Sequence, residues 1–312
     1  LSAVETLGST TVICSDKTGT LTQNKMTIQK LYNGKETFDV SGTGYSPVGE
    51  VLDAEGMSAT DRVQKVIEGG LLCNDATYDP LKEPIIGDPT EGAMVVLAHK
   101  EGMEKDAWES RYPRIQEIPF DSDRKLMSTY HEIDGKIVMY TKGAPDELLR
   151  RCVSIELDGQ VESLSDAKRE EILAKNQSFA EAALRVIGVA YRVVDKAVVD
   201  LEMENDLIFV GLMGMIDPPR EEAKNAVAVC KNAGIQVKMI TGDHKITASA
   251  IGAQLGIESE RTVEGREINE MSDEELRECV KTTNIFARVS PEHKVRLVDA
   301  VRENGNIAAM PG

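Results

Sequence analysis

Ile13-Cys14-Ser15-Asp16-Lys17-Thr18-Gly19-Thr20-Leu21-Thr22 is the stretch around which the rest of the chain can be arranged. Thr11 to Cys14 is a short β-branched run with one cysteine, the composition of a buried strand. It runs into a polar turn, Ser15 to Thr20, with Gly19 at its tightest point. A carboxylate just past the carboxyl end of a buried strand stands where open α/β sheets hold their ligands. Asp16 is flanked there by the charge of Lys17, the hydroxyls of Thr18 and Thr20 and the amides of a glycine turn, groups that suit a phosphate. A carboxylate so placed can attack phosphorus and form an acyl phosphate. An Asp-Lys-Thr-Gly met alone is more simply a turn capped by its aspartate; the full run from Ser15 to Thr22 points to phosphate chemistry.

The 312 residues suffice for two domains of ordinary size, each with its own core. A net charge of −17 argues against nucleic-acid binding, which needs basic stripes, and makes any phosphate site a local exception. Aromatic residues are scarce at 4%, so a single exposed one is a better functional candidate than usual. The five cysteines are widely spaced, without Cys-x-x-Cys, and read as small buried hydrophobes of a reducing compartment. The four histidines offer no zinc spacing. No stretch approaches 18 uninterrupted apolar residues and no signal peptide is apparent, so the expectation is a chain that does not span a membrane. Should it derive from a transporter, it is expected to be an excised cytoplasmic part, with Leu1 opening directly onto the first strand and Gly312 closing just after another.

Beyond Thr22 the pattern changes. Asn33 to Gly56 reads as irregular, and Ala59 to Cys73 has helical spacing. At Gly87-Asp88-Pro89-Thr90-Glu91 a helix starts, with Asp88 as N-cap, Pro89 first in the helix and Glu91 three after the cap, where it serves either as a capping carboxylate or in binding. Phe120 lies outside any periodicity; it is either a loop aromatic folded onto the core or a flat face for a purine, base–aromatic stacking being worth roughly 1–3 kcal/mol. Leu126 to Lys142 reads as a hairpin about Asp134-Gly135 that delivers Lys142-Gly143 at a strand end, Gly143 permitting close backbone approach. A second hairpin about Asp158-Gly159, a helix from about Ser165 to Leu184 and a β-rich run Arg185 to Val194 follow. From Leu207 strands and helices alternate: strands near Ile208–Met213, Ile235–Ile240, Ile285–Val289 and Asn306–Met310, with helices to Asn232 and Leu255, a Ser-x-x-Glu boxed helix Ser272–Lys281, and Pro291–Glu303. Such alternation means right-handed crossovers and a parallel sheet that also holds the strand before Asp16. The fold expected is therefore α/β, residues 1–25 and 216–312 forming one domain and residues 26–215 an inserted α+β domain. Met239 to Asp243 puts a hydroxyl, a glycine amide and a carboxylate beyond a strand, although Asp243 could simply cap the next helix. Lys294 falls in the first turn of a helix, where it opposes the helix dipole, so a phosphate partner is a reasonable purpose for it.

Asp-Lys-Thr-Gly-Thr-Leu-Thr resembles the phosphorylation motif of the P-type cation-transporting ATPases, and the preceding Ser2 to Ser15 looks most like their calcium-pump (type II) branch. The resemblance covers essentially the whole chain. It implies a haloacid-dehalogenase-like phosphorylation domain, Asp16 as the phosphorylated residue, and Lys17, Thr18, Thr241, Gly242, Asp243 and Lys294 around the phosphoryl group. Glu91, Phe120, Arg124, Lys125, Lys142, Gly143 and Arg192 resemble the family's nucleotide-binding positions, and Asp217-Pro218-Pro219-Arg220 its hinge. Ser122 stands where calcium pumps often carry Arg, and Asp146 where Glu is usual. The cofactors implied are ATP and Mg²⁺, with Asp16 and the Thr18 carbonyl as metal ligands; the family's further aspartates lie in a GDGxND motif, and here the chain reads Met310-Pro311-Gly312 and ends. Two ligands alone make a poor Mg²⁺ site, so the expectation is ATP binding with weak or no autophosphorylation.

The function implied is that of a catalytic part of an ATP-driven cation pump, calcium being the branch indicated, at the cytoplasmic face of a membrane, with transmembrane and actuator domains as its partners. A soluble phosphatase of the same superfold is one alternative, but such enzymes carry a second Asp two after the nucleophile, and that position is Thr18. A non-catalytic nucleotide sensor using only the inserted domain is the other. No Gly-x-x-x-x-Gly-Lys-Ser/Thr occurs, which disfavours a P-loop mechanism.

Overall fold

The computed structural model describes residues 8–42, 44–82 and 85–311. The expectations about Leu1 and Gly312 lie outside the described residues. The chain divides into two compact units, Leu1–Lys25 with Glu181–Ala183 and Asp217–Gly312, and Met26–Ala180 with Leu184–Ile216.

The first unit opens with β1 (Val12–Asp16), in which Val12 and Cys14 are buried. The second unit then runs β2 (Thr27–Tyr32), β3 (Thr37–Val40), β4 (Val51–Leu52), α1 (Gln64–Leu72), β5 (Thr77–Tyr78), β6 (Ile85–Ile86), α2 (Pro89–Lys100), α3 (Lys105–Arg111), β7 (Arg114–Asp121), β8 (Leu126–Ile133), β9 (Lys136–Gly143), α4 (Pro145–Arg150), β10 (Cys152–Leu157), β11 (Gln160–Ser163), α5 (Asp166–Glu181), β12 (Arg185–Val194) and β13 (Leu207–Ile216). The first unit resumes with α6 (Glu221–Asn232), β14 (Gln236–Ile240), α7 (Lys245–Gln254), β15 (Thr262–Glu264), α8 (Gly265–Glu270), α9 (Asp273–Thr282), β16 (Ile285–Ala287), α10 (Pro291–Glu303) and β17 (Ala308–Ala309).

In the first unit the strands form a parallel sheet in the order β15-β16-β14-β1-β17. Asp16 is in register with Ile240, so the ends of β1 and β14 open at the same edge. Val12, Cys14, Ile240, Phe286, Leu297 and Val301 belong to one core cluster. Lys238 is buried in the middle of β14. Its ammonium donates to the Val280 carbonyl and, at 2.8 Å each, to the Thr283 carbonyl and Asn284 Oδ1, while burial pulls its pKa down to about 8.

The second unit is built on an antiparallel sheet, β4-β3-β2-β13-β12-β9-β8-β7, with β10 added in parallel to β13 and β11 paired to β10. Helices cover both faces of its centre. A Cβ on Gly69 or Gly70 of α1 would meet Val189, Tyr140 and Met213, whereas one on Gly188 would meet Leu148 of α4. Cover on both faces explains why Leu207 to Ile216 is almost continuously apolar and does not alternate. Both hairpins form at the Asp-Gly pairs: Asp134 and Gly135 have φ of 52° and 76°, Asp158 and Gly159 51° and 77°, as a type I′ turn requires.

Some boundaries and elements differ from expectation. The stretch read as irregular carries β3 and β4, because Thr37-Phe38-Asp39-Val40 alternates and Phe38 is fully buried. Phe120 is the penultimate residue of β7, a strand that Pro119 conceals in the sequence. Strand β16 stops at Ala287, since Arg288 has a φ of 51°. Ser272 Oγ accepts the Glu275 amide at the start of α9, and the reciprocal boxes lie at Glu264/Glu267 and Ser290/His293. All five cysteines are free, with Cys14, Cys73 and Cys152 buried.

Candidate functional site

Two clusters of predicted residues form, one in each unit. In the first unit Asp16 ends β1 with its carboxylate partly exposed, and Lys294 Nζ lies 2.8 Å from both of its oxygens. Ser290 caps α10, Pro291 opens it and Lys294 extends from its first turn, so a cation that the helix dipole disfavours is held there by a carboxylate. Lys17 is turned the other way: its buried ammonium pairs with Asp243. Asp243 is therefore not the cap of α7; His244 is, its Nδ1 accepting the Ile246 amide at 3.3 Å. Thr241 is buried, and its hydroxyl oxygen accepts the Asp243 amide at 3.0 Å. At Gly242 an added Cβ would meet no atom within 4 Å, leaving that face of the turn open.

The turn after Asp16 depends on Gly19, whose φ of 78° lies in the left-handed region, while Thr18 stays extended and exposed. Thr22, fully buried, closes it by donating to Asp217 Oδ2 at 2.6 Å. Asp217 Oδ1 accepts the Lys25 amide, and Arg220 donates to the carbonyls of Thr22 and Gly19 at 2.9 and 3.2 Å. Asp217 and Arg220 thus clamp the loop carrying Asp16. The sequence marked them as a hinge but gave no sign of this contact, which spans nearly 200 residues.

Mg²⁺ takes about six oxygen ligands and usually keeps several waters. Among the described residues no group of three His, Cys, Asp or Glu could hold a metal ion. The two carboxylates of this cluster are each paired with a lysine. The residues present do not make a resident metal cage.

In the second unit the register of β8, β9 and β12 gathers residues at one end of the sheet. Leu126 and Met127 pair with Gly143 and Lys142, and Gly143 pairs with Gly188. Lys125 begins that end, exposed and with a φ of 60°. Gly143 has to be glycine, since a Cβ there would lie 2.1 Å from the Lys125 carbonyl oxygen. Phe120 is 61% exposed, so it is not folded onto the core. Lys142 is 7% exposed, far from a solvated edge lysine: its ammonium donates to the Cys73 carbonyl and pairs with Glu91 Oε1 at 2.7 Å. Asp88 caps α2 by accepting the Thr90 and Glu91 amides, and Glu91 does not bond back to it. Instead, Glu91 Oε2 accepts the Asp75 amide at 3.1 Å. Arg114 ties the same segment, donating to Asp75 Oδ1 and the Asn74 carbonyl. Burial raises the pKa of the neighbouring Cys73 thiol.

Two predicted arginines are committed inside the unit. Arg192 lies opposite Met139, toward the other end of the sheet, and donates to the carbonyls of Met203 and Asn205 at 3.1 Å each. Arg124 pairs with Glu204 at 2.6 Å. A third arginine, which sequence reasoning passed over, stands closer to Glu91: Arg185, first in β12, donates to Thr90 Oγ1 at 2.9 Å. The antiparallel pairing of β9 and β12 was the available signal, because it sends Arg185 to the Gly143 end and Arg192 away from it.

Residues 62–222, just over half of the chain, match the family model described as P-type ATPase, cytoplasmic domain N. The chain belongs to the P-type ATPases. Its similarity to curated members of this family extends over its full length. It is 46% identical over 316 residues to calcium-transporting ATPase 1 of Bacillus cereus, covering all of this chain and 34% of that protein. Against cation-transporting ATPase pma1 of Synechocystis the identity is 44% over 329 residues, and against the calcium-transporting ATPase of Bacillus subtilis 44% over 322; each match covers all of this chain and 36% of the relative. This P-type ATPase chain therefore spans about a third of the length of the curated relatives it matches. Among the described residues no helix is long and apolar enough to cross a membrane.

Proposed function

We propose that this chain is the nucleotide-binding and phosphorylation part of a cation pump, calcium being the cargo named for its relatives in Bacillus cereus and Bacillus subtilis. Residues 26–215 take up ATP: Phe120 stacks on adenine, while Lys125, Lys142, Glu91, Gly143 and Arg185 face the rest of the nucleotide. Residues 1–25 and 216–312, a haloacid-dehalogenase-like domain, carry the acceptor. An Asp16 oxygen forms a bond to the γ-phosphorus as the bond from phosphorus to the β,γ-bridging oxygen breaks, and ADP leaves with that electron pair. Lys294, Thr18 and the Thr241-Gly242 turn balance the charge on the equatorial oxygens, since phosphoryl transfer is mostly positioning and electrostatics. Water then cleaves the acyl phosphate. In the whole pump this cycle drives cation movement from the cytoplasmic face of a membrane through transmembrane helices, with an actuator domain as partner.

The observation that carries this reading is the contact of Lys294 Nζ with both Asp16 oxygens at the carboxyl edge of a parallel sheet. Asp16→Asn tests it. Label from γ-³²P-ATP that is labile to hydroxylamine should vanish while ATP affinity stays within about twofold. A nucleotide sensor would keep its output, and label surviving in the variant would put the acceptor elsewhere.

A further inference from the structure

Among the described residues Glu204 is the one buried acidic side chain, 0% exposed, at the end of a short helical turn, Leu201–Glu204. Its Oε1 accepts Arg124 Nε at 2.6 Å, and its Oε2 accepts the Ser128 hydroxyl at 2.5 Å, which in turn meets Thr141 Oγ1 at 2.7 Å. The other side of the Arg124 guanidinium donates to two carbonyls, Pro119 and Leu126, both at 2.8 Å. Those carbonyls stand on the two strands of one hairpin, one just before Phe120 and the other just after Lys125. Arg124 therefore staples the base of the turn that presents both residues, and Glu204 fixes the staple from beneath. The Arg192 bonds to the carbonyls of Met203 and Asn205 anchor the turn bearing Glu204 to β12.

We infer that Arg124 and Glu204 are positioning residues that set the direction of Phe120 and Lys125, and that Arg124 is not a phosphate ligand. The inference rests on the nucleotide reading of this end of the sheet. Arg124 Nε and Nη2 are committed and the side chain is 10% exposed, so swinging the guanidinium out to a phosphate would break these three hydrogen bonds and leave a carboxylate buried without its counter-charge, the costly half of any buried ion pair. Without the staple the turn keeps its residues but loses the fixed outward placement of the exposed ring. A ligand ordered by that ring then pays for the ordering on binding.

The test is calorimetric titration of the whole 312-residue chain with adenosine, AMP and ATP, for wild type, Glu204→Gln, Lys125→Ala and a paired apolar replacement, Arg124→Met with Glu204→Leu. The paired variant guards against misfolding of Glu204→Gln, because exchanging a whole buried pair for apolar groups is far milder than removing one partner. The expected result is a loss on the order of tenfold that is equal for adenosine, AMP and ATP in both staple variants. Lys125→Ala should instead lose more as phosphates are added. A loss in the staple variants that grows with phosphate number, or ATP affinity that is unchanged or tighter in Glu204→Gln, overturns the inference. Wild-type chain that binds none of the three ligands overturns the nucleotide reading itself, which is a separate outcome.

Discussion

Lys294 Nζ lies 2.8 Å from each carboxylate oxygen of Asp16, a contact between residues 278 positions apart. One ammonium shared by both oxygens holds the carboxylate in one direction, and the same ammonium is in place to meet a phosphoryl oxygen arriving at Asp16. Removing one such preorganised charge typically costs about 10²–10³ in rate. In the whole pump, Lys294→Met should slow acyl-phosphate formation from ATP by that order while leaving ATP affinity near wild type, and Lys294→Arg should recover part of the rate. Equal rates for wild type and Lys294→Met, measured by quenched labelling, would remove Lys294 from the mechanism.

Glu91 and Lys142 form a pair whose side chains are 14% and 8% exposed. Breaking such a pair from one side strands a charge, so Glu91→Gln should destabilise the second unit by about 3 kcal/mol. Replacing both partners, Glu91→Leu with Lys142→Met, should recover much of that loss while abolishing whatever Lys142 contributes to ATP binding. Urea unfolding of Glu91→Leu, Lys142→Met and the double variant completes the cycle. Additive losses would mean that the two side chains act independently.

His131 supplies a pH dependence with a definite sign. It is buried in β8, and burial pushes its pKa down to about 4. Its Nδ1 faces the Tyr112 carbonyl at 2.8 Å and so carries the proton, leaving Nε2 to accept from Thr129 Oγ1 at 2.8 Å. The folded-state pKa lies below the unfolded value of 6.5, so the unfolded chain binds the extra proton first. Stability is fully present above pH 6.5 and is lost as the pH falls toward 4, by an amount on the order of 3 kcal/mol. His131→Gln should flatten that part of the stability profile. An unchanged slope between pH 6.5 and 4 would assign the acid sensitivity to other groups.

Local chemistry wrote much of this fold into the sequence. The Asp-Gly pairs specify their hairpins because both residues must take positive φ, and Asp88-Pro89 specifies a helix start because the cap and the ring each satisfy one terminal requirement. Alternation after Ile216 yields a parallel sheet because crossovers leave few other arrangements, whereas the apolar strand Leu207–Ile216, read from the sequence as part of that alternation, joins the antiparallel sheet. Partner choice was not legible in the same way. Glu91 stands three after a cap, where a boxed carboxylate is the simplest local use, yet its oxygens go to Lys142 and the Asp75 amide. Asp243 has the spacing of a cap and is taken by Lys17. Arg124 sits in a basic pair, but a buried carboxylate 80 residues later claims it. These choices are settled by which groups are desolvated together, and linear spacing carries no record of that.

The most direct test of the nucleotide assignment is a titration of the isotopically labelled chain with ATP, followed through its backbone amide resonances. The account predicts that the largest shifts fall on Phe120, Lys125, Lys142, Gly143 and Glu91, and that Phe120→Ala weakens the titration by roughly 5- to 150-fold, the equivalent of one stacked base. Shifts centred instead on the cleft of about 350 Å³ lined by Arg62, Lys65 and Glu156, or a Phe120→Ala titration indistinguishable from wild type, would contradict it.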